Sequence, residues 1–205
     1  MANWKTMTRH LGTLRQWHWV SSAICLVGLA LFAFTGITLN HAAIIPTNPV
    51  ITELERDVPA DILAAIDPVP EGDAPLPDAL RDWLSDELSV NVRPGLDGEW
   101  GDGELYLSIP RPGGDAWLSL DLEDGFLVYE RTDRGWISYL NDLHKGRDTG
   151  VAWSWFIDIF AVACFLFSIT GLVLLMRDAP TRPATWPSVA LGLVIPLLLI
   201  ILFVH

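Results

Sequence analysis

The chain has 205 residues, 51% of them hydrophobic, with ten tryptophans and a mean hydropathy of +0.34, a profile that an ordinary soluble domain does not have. Twenty-five acids against thirteen bases give a formal net charge of -12, which argues against nucleic acid as a partner. The only cysteines, Cys25 and Cys164, both lie in apolar runs. They read as packed or lipid-facing thiols rather than a disulfide.

Residues 1–17 hold Lys5, Arg9 and Arg15 and no acid. The first apolar run follows at about residues 19–39. Its apolar stretch exceeds the ~7–15 residues of a signal peptide, and the flank "NHAAII" is a poor cleavage site, so it reads as a retained helix. Two further runs lie at about residues 151–176 and 186–204. Each is close to the ~20 residues that a ~30 Å hydrocarbon layer requires. Between the first two runs, residues 42–150 carry twenty-three acids against eight bases. The excess of bases in the N-terminus and at Arg177 and Arg182 places those segments in the cytoplasm and the acidic block outside. Trp17, Trp19, Trp153, Trp155 and Trp186 stand at the run ends, where an aromatic belt belongs. The expected layout is a cytoplasmic N-terminus (1–18), transmembrane helix 1 (19–41), an outer domain (42–150), helix 2 (151–176), a cytoplasmic loop (177–185) and helix 3 (186–205).

Within the acidic block, residues 52–65 allow a short helix. In "PLPDALRDWLSDELS", Leu80, Trp83, Leu84 and Leu88 recur at helical spacing behind prolines. Four strand-like pieces follow: "SVNVRPG", "GELYLSIPRPGG", "DAWLSLDLEDG" and "FLVYERTDRG". Each ends in turn residues, and together they predict three or four antiparallel strands. The fold class is therefore a mainly α membrane protein, with three transmembrane helices and a small α+β domain inserted between helices 1 and 2.

Three histidines mark run ends: His18 opens the first run, His41 closes it, and His144, in "LNDLHKG", precedes the second. Neutral imidazole is a good ligand for iron. Two imidazoles on opposite faces of a porphyrin make an electron-transfer haem, and antiparallel neighbouring helices would bring His41 and His144 to one side. Lys145 and Arg147 could pair with haem propionates. Zinc ranks below haem, because it asks for four ligands, usually with Cys or clustered acids. His18 and His41 are 23 residues apart, about 34 Å along a helix at ~1.5 Å per residue, so they cannot share one iron. An inner haem on His18 would need a second ligand: His18 of another copy, His10, or Met176. Met176 enters through an internal echo, "LFAFTGITL" against "LFSITGLVL", which places it at the inner end of helix 2. The echo's glycines, Gly36 and Gly171, read as small residues for close helix packing. Asp158 is the one acid inside an apolar run. It is a candidate to accept a hydrogen bond from a ligand imidazole, or to form a polar pocket with Ser154.

The order "RQWHW", "TGITLNHA", a helix-plus-strands domain, "LNDLHKG" and "SITGLVLL" resembles the short members of the PepSY-associated transmembrane family, over about residues 10–176. The resemblance implies a PepSY-like periplasmic domain on a bacterial inner membrane. It implies b-type haems, one or two per chain or shared in a dimer, held by His18, His41 and His144. It also implies electron transfer outward, in some relatives to ferric siderophores, as in a haem-dependent ferric-chelate reductase. The chain is half the size of the larger relatives, which favours a homodimer. It shows no nicotinamide or flavin motif, so the electron donor would be a quinol or another protein. Two alternatives stand beside this. In one, the PepSY domain is an anchored module that binds or inhibits a periplasmic protein or protease without redox activity. In the other, the chain is an inert subunit that stabilises a partner.

Overall fold

A computed structural model describes residues 12–93 and 95–204. His10 and His205 lie outside the described residues, as do Lys5 and Arg9. In chain order the elements are α1 (Leu14–Asn40), β1 (Val50–Asp57), α2 (Ala60–Ala64), β2 (Gly72–Pro75), α3 (Asp78–Leu88), β3 (Asp97–Gly101), β4 (Glu104–Arg111), β5 (Gly114–Asp121), β6 (Phe126–Asp133), α4 (Trp136–Lys145), α5 (Val151–Asp178) and, after a 3-10 turn, α6 (Thr185–Phe203). The chain divides into two compact units. One is Met1–Phe32 with Trp155–His205, and the other is Ala33–Ser154.

Helices α1, α5 and α6 are long and apolar enough to cross a membrane. Helix α1 begins five residues before the apolar run does, and the cause is local. The Thr13 amide donates to Gln16 Oε1 (2.7 Å) and the Gln16 amide donates to Thr13 Oγ1 (3.2 Å), a reciprocal cap on the first turn. In the first unit, α1 and α5 meet at Gly28. A Cβ added there would lie 2.3 Å from the Phe160 ring, and Phe32 stacks on that ring from the next turn, with centroids 5.3 Å apart.

The second unit holds a six-stranded antiparallel sheet in the order β1-β6-β5-β4-β3-β2. Register sets Leu105 opposite Leu120 and Leu107 opposite Leu118, and Leu120 opposite Leu127. These five side chains share one face and are fully buried. Helix α3 covers that face with Leu80, Leu84 and Leu88. It ends where Ser89 turns left-handed (φ 54°) and the Val90 amide closes on the Leu84 carbonyl at 3.0 Å.

The helix at residues 78–88 and the strands β4, β5 and β6 lie where the periodicity predicts them. Three expectations need correction. Residues 52–65 are not one helix: residues 50–57 pair along their whole length with β6, and the short α2 starts only after Pro59. "SVNVRPG" forms no strand among its described residues. Val90 and Val92 alternate because both enter the core from a loop that has no neighbouring strand to pair with. The sheet has six strands rather than three or four because β1 adds to β6 and the pair β2–β3 adds to β4. Their polar, glycine-rich sequences hide this. Trp100, buried on β3 with Nε1 donating to the Ala74 carbonyl (3.0 Å), fastens the pair.

Asp133 organises the exit from β6. Its Oδ1 accepts the Gly135 amide (2.9 Å), while Oδ2 faces Arg111 (3.1 Å) and Arg131 (3.7 Å). The Gly135 hydrogen bond, helped by the two guanidiniums, holds this carboxyl below its ordinary value. Depression of the folded-state value means that Asp133 stabilises the fold at neutral pH and that this contribution is lost as pH falls through the folded value. Asp133→Asn should therefore lose less melting temperature than the parent between pH 7 and strongly acid pH, as followed by circular dichroism. A second expectation concerns the helices. Gly28→Val should overpack the Phe160 contact at a cost of about 1–3 kcal/mol. Gly192→Val, where nothing lies within 4 Å of the added Cβ, should leave the melting temperature of the solubilised protein unchanged.

Candidate functional site: two histidines on threonine-glycine steps

Helix α4 is short and amphipathic, and it ends on Gly146 in the left-handed region (φ 68°). Its last turn makes four consecutive attachments. Asn141 Oδ1 accepts the Thr38 hydroxyl of α1 at 2.6 Å. Asp142 Oδ2 accepts the Gly113 amide from the β4–β5 turn at 2.9 Å. The Leu143 carbonyl accepts Trp153 Nε1 from the start of α5 at 2.9 Å. His144 Nδ1 lies 2.6 Å from Thr35 Oγ1 of α1. The β4–β5 turn sits close because Gly113 has φ +75° and no side chain. A Cβ there would stand 2.8 Å from Tyr139 Cα. Asn141 and Asp142 are buried, and Lys145 Nζ neutralises Asp142 at 3.1 Å.

His144 thus rests on the Thr35–Gly36 step, its Cε1 3.7 Å from where a Gly36 Cβ would be. The first unit repeats the arrangement, with α1 now supplying the imidazole and α5 the threonine-glycine step. His18 of α1 rests on Thr170–Gly171 of α5. Its Nδ1 is 3.0 Å from Thr170 Oγ1, and its Cε1 is 3.0 Å from a Gly171 Cβ position. The ring stacks on Phe167 with centroids 5.0 Å apart and planes 10° from parallel. The Thr170 hydroxyl donates to the Leu166 carbonyl (2.7 Å). Its oxygen therefore accepts from His18 Nδ1–H, and Nε2 keeps its lone pair. His41 reaches the same state by another route. It lies exposed in the turn after α1, and its Nδ1 is 2.9 Å from the Ile37 carbonyl, a group that only accepts.

The internal echo of the sequence has a use beyond helix packing. In each copy the threonine supplies an oxygen to an imidazole. The glycine after it avoids crowding at Gly171, where a Cβ would stand 3.0 Å from His18, whereas at Gly36 a Cβ would make only ordinary contact with His144 at 3.7 Å. Thr35, Thr38, Asn141 and Thr170 were not singled out from the sequence. The signal that could have found two of them is the shared "TG" of the echo.

The other candidates lie as follows. Met176 is half-exposed on α5, six residues past Thr170, about 9 Å further along the helix at ~1.5 Å per residue. Arg147 is exposed and pairs with Asp148 at 3.4 Å. Asp158 is exposed, and at ~100° per residue it falls on the side of α5 opposite Phe160 and Phe167, the residues that face α1. Ser154 donates to its own helix, at the Gly150 carbonyl (3.3 Å). Among the described residues, no three His, Cys, Asp or Glu side chains gather as a metal-binding group. A haem asks the protein for only one or two axial side chains.

Removing the Asp142 carboxylate leaves the Gly113 amide buried without its acceptor. Asp142→Ala should cost about 1–3 kcal/mol, whereas Lys145→Ala, at the half-exposed end of that ion pair, should cost under ~1 kcal/mol. Thermal denaturation of the two variants checks the difference.

Comparison with known families matches residues 9–205 to a family model described as PepSY_TM-like. No curated protein and no solved structure matches the chain.

Proposed function

The chain belongs to the PepSY_TM-like family, and on that footing we propose that it is a haem b protein of the bacterial inner membrane that passes electrons outward to a periplasmic acceptor. One observation carries the reading. His18 and His41 commit Nδ1–H to an oxygen acceptor, and His144 sets Nδ1 against a threonine hydroxyl. A ligating histidine is held in this way, by a hydrogen bond at the ring nitrogen that does not bind the metal.

In this reading His18, His41 and His144 are the residues that would hold the haem iron. Bound haem supplies reversible one-electron chemistry, at a potential that axial ligand, burial and hydrogen bonding tune. Thr170 and Thr35 fix ring orientation, and the hydrogen bond strengthens each imidazole as a donor. Phe167 covers one face of the His18 ring and keeps water from it. Met176 is the alternative second ligand beside His18, with a second copy's His18 across a homodimer axis as the other. Lys145 and Arg147 stand next to His144, where they would meet propionates. The basic N-terminus and the Arg177–Arg182 segment stay in the cytoplasm, with the domain between α1 and α5 in the periplasm. The acceptor class is a ferric chelate such as a ferric siderophore, and the donor a quinol or a protein. The acidic outer block favours a neutral or cationic acceptor over an anionic one.

A second reading treats the outer domain as a binding module and the helices as anchors. It is favoured by the domain's own hydrophobic core under α3. A reduced-minus-oxidised visible spectrum of the purified chain, expressed with ample haem, separates the two. A sharp low-spin b-type signal is expected, with haem per chain reduced in His144→Ala and in His18→Ala. Thr170→Val should retain haem with a changed midpoint potential. A chain without haem would sink the redox reading and leave the module.

A further inference from the structure

The sheet's core face is longer than the helix that covers it. Strand β4 has eight residues, about 27 Å at ~3.4 Å each. Helix α3 has eleven, about 16 Å at ~1.5 Å each. Burial follows that mismatch along β4: Leu105 and Leu107 are fully buried, and Ile109 and Arg111 only partly. Beyond Ser89, Val90, Asn91 and Arg93 line the uncovered end. A cavity of about 220 Å³ remains there, floored by Ile109, Ala116 and Tyr129 and rimmed by Asn91, Arg93 and Arg111.

The charge at this rim runs against its surroundings. Residues 42–150 hold eight bases among twenty-three acids, and two of the eight line the cavity. Arg111 and Arg131 share the single carboxylate of Asp133, so two positive charges answer one negative. Arg93 donates from Nη2 to the Asp148 carbonyl at 3.0 Å, an uncharged acceptor. Among the described residues it joins no salt bridge. A guanidinium has five N–H donors, so Arg93 brings unneutralised charge and unused donors to the mouth of an apolar cleft.

We propose that this cavity binds a small organic monocarboxylate. The carboxylate lies on the Arg93 and Arg111 guanidiniums, whose forked donors match its two oxygens. The hydrocarbon part lies on Ile109, Ala116 and Tyr129. The volume is below the ~300–1,000 Å³ of sites for drug-sized ligands, which limits the occupant to a short chain or a single ring. The acidic block repels multiply charged anions at long range, which favours a single carboxylate. Arg93 also ties down the loop at Asp148, four residues past His144, so an occupant shares its arginine with the segment that joins α4 to α5. The site does not depend on haem, and its test reads ligand binding alone.

The full chain in lipid nanodiscs is titrated with 4-fluorobenzoate and followed by ¹⁹F NMR, with neutral 4-fluorobenzamide as the isosteric control. Saturable broadening of the benzoate is expected, displaced by unlabelled benzoate and not by benzamide. Arg93→Gln should weaken binding about tenfold or more. Arg93→Lys, which keeps charge but not the fork, should lose less. Arg134→Gln, whose parent residue pairs with Asp115 away from the cavity, should bind as the parent does. Circular dichroism confirms that each variant folds, and the displacement by benzoate needs no variant at all. Equal broadening of the benzamide, absence of saturation, or parental affinity in a folded Arg93→Gln would each overturn the proposal.

Discussion

The second unit depends on the last turn of α4, where four successive residues each hold a different partner. Asn141 holds α1, Asp142 holds the β4–β5 turn, the Leu143 carbonyl holds the first turn of α5, and His144 holds α1 again. Consecutive helical positions point about 100° apart, so one turn can face in several directions at once. Two of the four residues, Asn141 and Asp142, are buried polar groups, and a buried polar group left without a partner is costly. Within the second unit, the turn therefore ties the sheet to the end of α1 after Ala33 and to the first residues of α5, because losing these partners would strand the buried atoms.

That constraint also prepares His144. The imidazole is brought to the end of α1 by a helix already fixed on both sides, and its Cε1 lies at ordinary contact distance from the Gly36 step. His18 meets the same conditions in the other unit with different supports: a stacked phenyl ring, a threonine whose own hydroxyl proton is spent on the helix backbone, and a glycine beneath the ring. Orientation is settled in both places by rigid helices rather than by loops, which is what a ligand or a redox group requires of its first contacts.

The outer domain follows a different economy of contacts. Its core is a short leucine helix on a leucine-lined sheet, and that helix stops before the sheet does. What remains uncovered is small, apolar below and cationic above, in a segment where almost every other base is paired with an acid. A shorter sheet or a longer helix would have closed it.

Much of this was legible in the chain itself. Three apolar runs of membrane-spanning length, the leucine spacing of α3 and the alternation of β4, β5 and β6 depend on local periodicity, and local periodicity is written residue by residue. The histidines at the run ends and the "TG" echo were visible too. Their connection was not, because Thr35 and His144 are 109 positions apart and His18 and Thr170 are 152. Strands β1, β2 and β3 escaped for a related reason. Their identity comes from the neighbour each one pairs with, and "DGEWG" or "TELERD" alone carries no such information. Composition and period thus determined which segments are helical, which are apolar and where polar residues interrupt them. Tertiary structure alone decided which hydroxyl meets which imidazole, which carboxylate holds which turn, and where a helix falls short of its sheet, since each of those is a meeting between residues that the chain order keeps far apart.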